Sequence, residues 1–203
     1  MKTNLCVALN ATPEQAEKLR ELQTSFAQVC NALSPLVQEH RCWNRVTLHH
    51  LAYKGLREKF PSMGSQMTCN AIYAVSLASR VVFQHPASPY HHTKFEAKRL
   101  PLLRFSDQGP VYFDRHTLSI KPGLISLYTL GGRMHCELQL ARKDEMMFRE
   151  QKLRDVVLTR RPDGVFQLLF SFVHENDGGA DAKTLAGRDL GTFPSHVQLE
   201  ASA

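Results

Sequence analysis

The sequence predicts an α+β fold, an antiparallel β-barrel opened after its first strand by an inserted helical domain. Three observations predict it. Leu5, Val7 and Leu9 alternate with polar or small residues near the N-terminus, the period of a strand. From Ala16 to about Phe83 apolar residues recur at helical spacing. After Tyr90 short apolar runs are divided by turn signals, as in a small barrel or sandwich. A lone first strand would leave its backbone groups unpaired, so it is expected to rejoin the later sheet.

The elements follow in order. Lys2 to Leu9 is the first strand. Thr12-Pro13-Glu14-Gln15 then reads as a helix start, with Thr12 as cap, Pro13 at the first helical position and Gln15 completing a capping box. Ala16, Leu19, Leu22, Phe26, Val29 and Leu33 carry that helix to the Ser34-Pro35 step, where a kink or break is expected, with helix resuming toward Cys42. A second helix begins after Thr47 and runs to Lys59 with Leu48, Leu51, Tyr53 and Leu56 as its less polar positions. A third runs from Ser65 to about Phe83, and Pro86 and Pro89 stop it. Strands are expected at 100–105, 111–113, 118–120, 124–127, 134–140, 156–158 and 165–173, with Asp144 to Arg154 as a helix between two of them.

The bulk composition is that of a soluble globular chain: 203 residues, 43% hydrophobic and 22% charged. A net charge of +6 favours a polyanionic partner without demanding one. No apolar run is long enough to span a bilayer and the N-terminus does not read as a signal peptide, so no membrane partner and a cytoplasmic location are expected. Five scattered cysteines without a CxxC pair read as reduced, mostly buried thiols. The His49-His50 and His91-His92 pairs lack ligand spacing, because adjacent helical residues point about 100° apart, and no metal site is expected.

Four segments, in this order, resemble the TnpB-type transposon-encoded RNA-guided nucleases and the related small type V CRISPR effectors. TPEQAEKLRELQTSFAQVCNALSPLV, from Thr12, is similar to that family's opening helix. TLHHLAYKGLREKFPSMGSQMTCNAIYAVSLA, from Thr47, resembles its second and third helices, with Ser65-Gln66 opening the third. VYFDRHTLSIKPGLISLYTLGGRMHCELQL, from Val111, resembles its barrel strands, with the turn at Asp114, Arg115, Leu118 and Ser119. GRDLG, Gly187 to Gly191, resembles the start of the RuvC nuclease domain. The resemblance implies a wedge-like β-barrel at 1–10 and 91–180, an inserted helical recognition domain at 11–90, and a truncated RuvC (RNase H-like) start at 181–203. It implies guide RNA and duplex DNA as partners, with a second chain as one source of the rest of RuvC.

RuvC-type cleavage needs clustered carboxylates that hold two Mg²⁺ ions. Asp189 is the one carboxylate at a matching family position, and Arg188 and Pro194 depart from the expected pattern around it. The chain is therefore expected to lack a complete nuclease site and, alone, any resident cofactor, with Mg²⁺ belonging to the complete family nuclease. A nuclease fragment completed by downstream coding sequence, or a non-functional remnant, stand as alternatives.

The candidate nucleic-acid contacts are Tyr53, Lys54 and Arg57 on the second helix, Gln66 and Asn70 four apart on the third, and the basic run Lys94, Lys98, Arg99 and Arg104 around Phe95 and Phe105. Cations suit phosphates, Asn and Gln suit adenine edges, and aromatic rings suit stacking. Against these stand a half-buried tyrosine, a helix-start glutamine bonding its own backbone, and a solvated charged loop. Asn31 and Trp43 read as structural.

Overall fold

A computed structural model describes residues 2–96, 98–173 and 194–200. Its contacts divide the chain into two units, which among the described residues hold 2–23 with 110–173 and 24–109 with 194–200. The joins fall at 23/24 and 109/110, against 10/11 and 90/91 in the sequence reading.

In the first unit, β1 (Lys2–Ala8) pairs antiparallel with β8 (Phe166–Val173), Leu5 opposite Phe170. The N-terminal strand thus joins the late sheet, as its otherwise unpaired backbone required. β8 alternates buried and half-buried residues along its whole length and turns Phe166, Leu168, Phe170 and Phe172 into the core. Each such side chain contributes about 1.5–3 kcal/mol by leaving water. β7 (Lys152–Arg160) flanks β8 on its other side, and β3 (Val111–Phe113) completes the order β1-β8-β7-β3. β7 is longer than the apolar trio 156–158 suggested. Asp155, Thr159 and Arg160 extend the trio in register, and Lys152 and Leu153 join beyond a register shift between Leu153 and Asp155, one residue out of step, which the period-two pattern could not carry.

β4 (Leu118–Lys121), β5 (Leu124–Thr129) and β6 (Gly132–Glu137) form a separate meander. The Asp114 carboxylate accepts the backbone N–H groups of His116 and Thr117 at 3.0 and 3.1 Å, an Asx turn that carries the chain out of β3 and into the meander. Between β4 and β5 the Pro122-Gly123 turn needs a left-handed second residue, and Gly123 supplies it at φ 73°. All pairing is antiparallel, as expected, in a mixed α+β chain. The expected barrel is not what the described strands make. They form three sheets, none closed on itself, with an isolated Asn10–Glu137 bridge between the two larger ones. The short helix expected at 144–154 is α4 (Arg142–Glu150), whose Phe148 ring meets Phe170 and Phe172 edge-on at 5.1 and 5.0 Å.

The long helix α1 (Pro13–His40) begins where the capping box predicts. Thr12 Oγ1 accepts the Gln15 N–H at 3.2 Å, and Gln15 Oε1 accepts the Thr12 N–H at 3.0 Å. Of the kink or break expected at Pro35, the break does not occur: α1 runs through it to His40, in line with the helix expected to resume toward Cys42. A mid-helix proline costs about 3 kcal/mol. Leu33 and Val37 on either side are fully buried, and their packing holds the helix through the defect.

In the second unit α2 (Arg45–Lys59) packs with α3 (Ser65–Phe83), and the buried Cys30 thiol of α1 donates to the Ala71 carbonyl of α3 at 3.9 Å. α2 starts at Arg45, ahead of the start expected after Thr47, because Asn44 Oδ1 caps it by accepting the Val46 and Thr47 N–H groups at 2.9 and 3.1 Å. Its buried stripe is Leu48, Ala52 and Leu56; Leu51, expected among the less polar inner positions, is 46% exposed. β2 (Leu102–Phe105) pairs with β9 (Val197–Glu200), a strand the sequence reading missed. The cysteines are free, but only Cys30 and Cys136 are buried, where burial pushes both thiols up in pKa. Cys42 and Cys69 are half-buried and Cys6 is exposed, so the expectation of mostly buried thiols fails, and at Cys6 it fails because the residue alternates with Leu5 and Val7 and shares the outward face of β1 with Asn4 and Ala8.

Candidate nucleic-acid interface

Charge is distributed unevenly between the units. Among the described residues the helical unit carries ten Lys and Arg against five Asp and Glu, and the sheet unit thirteen against ten. Much of the excess lies on α2, where Arg45, Lys54, Arg57 and Lys59 face only Glu58, while α3 carries no carboxylate at all.

Arg45, His49, Tyr53 and Arg57 recur every four residues and so form one row along α2. His49 and Tyr53 stack with ring centroids 4.6 Å apart and planes 17° from parallel. The Arg45 guanidinium lies 5.1 Å from the centre of the Tyr73 ring on α3, a cation–π contact. Arg57 donates to the carbonyl of Met63 in the α2–α3 turn. Lys54 is exposed beside the row, while Tyr53, Arg57, His49 and Tyr73 are half-buried. The sequence reading found Tyr53, Lys54 and Arg57 and missed Arg45, His49 and Tyr73. The four-residue spacing from Arg45 to Arg57 was the signal that could have found the first two.

On α3, Gln66 is half-buried, but Asn70 is only 5% exposed and its amide lies 3.8 Å from the Met67 sulfur. The expected pairing of Gln66 and Asn70 at a groove is therefore corrected: only Gln66 reaches the surface. α3 is buried around most of its circumference, so helical spacing alone could not tell which of its polar residues points inward.

The basic run is not a loose loop. Three side chains of α1 and its C-terminal end hold its backbone. Asn31 exchanges two hydrogen bonds with Phe105, accepting its N–H at 2.7 Å and donating to its carbonyl at 2.9 Å. The side-chain amide of Gln38 donates to the Leu100 carbonyl at 2.6 Å. Arg41, at φ 48° just past the helix, donates to the carbonyls of His92, Phe95 and Lys98 at 3.2, 3.0 and 3.3 Å. With the chain fixed, Lys98 and Arg99 stand exposed. Lys94 is exposed but its ammonium donates to the Ser88 carbonyl at 3.2 Å. Arg104 makes an ion pair with Glu200 at 2.8 Å, and Phe105 is only 8% exposed. Arg104 is thus already partnered and Phe105 is withdrawn from stacking, both because β9 covers that strand. Phe95 is half-buried.

Trp43 packs against Phe83 at 5.9 Å and His92 at 5.5 Å, and its carbonyl accepts the Ser76 hydroxyl at 2.6 Å, the structural role expected of it. Asp189 lies outside the described residues, as does the whole GRDLG segment. Among the described residues no group of three or more His, Cys, Asp and Glu is gathered as metal ligands would be, and no helix is long and apolar enough to cross a membrane.

Fold and surface together define a mixed α+β protein with a basic helical unit. Compared with known proteins, the chain matches no family model and no curated sequence.

Proposed function

We propose that this chain is the nucleic-acid-binding part of a TnpB-like RNA-guided protein, gripping guide RNA and target-adjacent duplex DNA without a complete nuclease site of its own. In this reading the sheet unit serves as the wedge and the helical unit as the recognition domain. Asp189 is the one carboxylate of these 203 residues at a catalytic position of a RuvC start. The observation that carries the reading is a set of cations with no carboxylate partner among the described residues: Arg45, Lys54 and Lys59 on α2, and Lys98 and Arg99 on a segment that Asn31, Gln38 and Arg41 fix in place. Cations held in position suit a phosphate backbone, whose charge density rewards each neutralised site by counterion release. The strand order, with β1 leading and its partner β8 more than 160 residues later, supports the wedge assignment.

Salt-titrated binding tests it. Association of the purified chain with a structured RNA and with duplex DNA, followed by fluorescence anisotropy, should weaken steeply with salt. If about four to five phosphates are engaged, the slope of log K against log salt is about −3 to −5. Absence of binding to either nucleic acid at low salt, or binding indifferent to salt, refutes the proposal.

A further inference from the structure

We infer that the row Arg45–His49–Tyr53–Arg57, with Tyr73 beside it, is a stacking platform for unpaired bases, so that this face takes a single strand in preference to a duplex. The inference rests on the nucleic-acid reading above and specifies the form of ligand at one face. Four side chains at four-residue spacing rise about 6 Å from one to the next and span roughly 18 Å. That length accommodates a short run of nucleotides. The order of chemistry along it is cation, ring, ring, cation.

The rings are already in stacking geometry. His49 and Tyr53 stack on each other, nearly parallel at 4.6 Å, so a base extends the pair from an outer face, while Arg45 already covers Tyr73 at 5.1 Å. A planar ring held half-buried by a helix surface has lost most of its rotamer freedom before a base arrives, which lowers the entropy that binding must overcome. Duplex DNA and RNA offer phosphates to such a face, but their base planes are occupied by their own neighbours. An unpaired strand offers both phosphates and free π-faces, and any base has such a face, so the recognition is tolerant of sequence. Repulsion is slight: Glu58 is the one carboxylate on α2 and α3, and at one residue from Arg57 it projects about 100° away from the row. The same surface could also attract an acidic peptide, but such a peptide has no use for parallel rings.

The test uses the full chain, a short oligothymidylate carrying one 2-aminopurine, and a hairpin duplex of equal phosphate number. Tyr53→Leu and His49→Leu remove a ring and keep apolar bulk; Lys54→Ala, beside the row, removes charge alone. Each variant is checked by circular dichroism for retained helix and thermal transition. The expected result is single-strand affinity reduced about 5- to 100-fold by either ring substitution, with duplex affinity changed less than twofold. Quenching of 2-aminopurine on binding should also disappear in Tyr53→Leu, whereas Lys54→Ala should weaken both ligands alike. Equal loss for strand and duplex, or no loss for either, overturns the stacking platform while leaving nucleic-acid binding standing. Competition by polyglutamate as effective as that by oligothymidylate of equal charge also overturns it. No binding to strand or duplex at low salt overturns the proposed function itself.

Discussion

Gly55 offers a sharp test of which face of α2 meets solvent. It sits in the interior of that helix, is exposed, and has nothing within 4 Å of the position a Cβ would take. Its φ is not among the positive values, so alanine fits the backbone without strain. Gly55→Ala should therefore stabilise. The helix-propensity difference is about 0.8–1 kcal/mol, and most of it comes from restricting the unfolded chain. No loss of packing or new clash offsets it. A gain of that size raises Tm by about 4–8 °C if the helical unit melts by itself, or about 2–4 °C if the whole chain melts as one. Thermal melts by far-UV circular dichroism and guanidinium titrations at unchanged m-value measure it. An unchanged or lowered Tm would refute the reasoning, because it would mean that another part of the chain approaches the helix backbone at residue 55.

Two further outcomes follow from hydrogen bonding and burial. Asn31→Ala deletes both bonds to the Phe105 backbone and should cost about 2–3 kcal/mol in urea unfolding, since a partly buried donor and acceptor lose their partners together; a loss under about 0.5 kcal/mol would show that water replaces the amide. His196 is held below its ordinary pKa of 6.5 by burial, so the unfolded chain binds the proton first as pH falls. Its contribution to stability is complete above 6.5 and declines as pH drops toward the folded value, and His196→Gln should flatten the dependence of Tm on pH below 6.5, which melts at a series of pH values would detect.

Much of the chain was legible residue by residue. The capping box at Thr12 and Gln15, the limits of α3 between Ser65 and Phe83, and the alternation of β8 all follow from local chemistry, and the structure has them. What escaped depends on partners far away in sequence. Pro35 ends a helix in isolation, but not one whose flanking leucine and valine are sealed in a core. β9 is four residues with no strong pattern and exists because β2 offers an edge. Asn31 was recognised as structural, whereas Arg41, Gln38 and their acceptors were not, because side-chain bonds to a backbone some 50–60 residues on leave no periodicity. The candidate surface was half legible for the same reason. Its residues on α2 share one helix, but Arg45 meets Tyr73 only through folding, and Arg104 loses its availability to a glutamate 96 positions away.

The pairing of β1 with β8 also sets a schedule. A ribosome adding about 5–20 residues per second needs roughly 8–30 s to deliver the second strand after the first has emerged. During that interval the N-terminal segment is an apolar ribbon with both edges bare, a form prone to sticking to its neighbours. The helical unit has most of its parts in hand well before then, since all three of its helices lie in the first half of the chain. Synthesis thus leaves an early-formed helical region attached to a waiting strand. Slowed translation of the last third of the message should lower soluble yield more than slowed translation of the first.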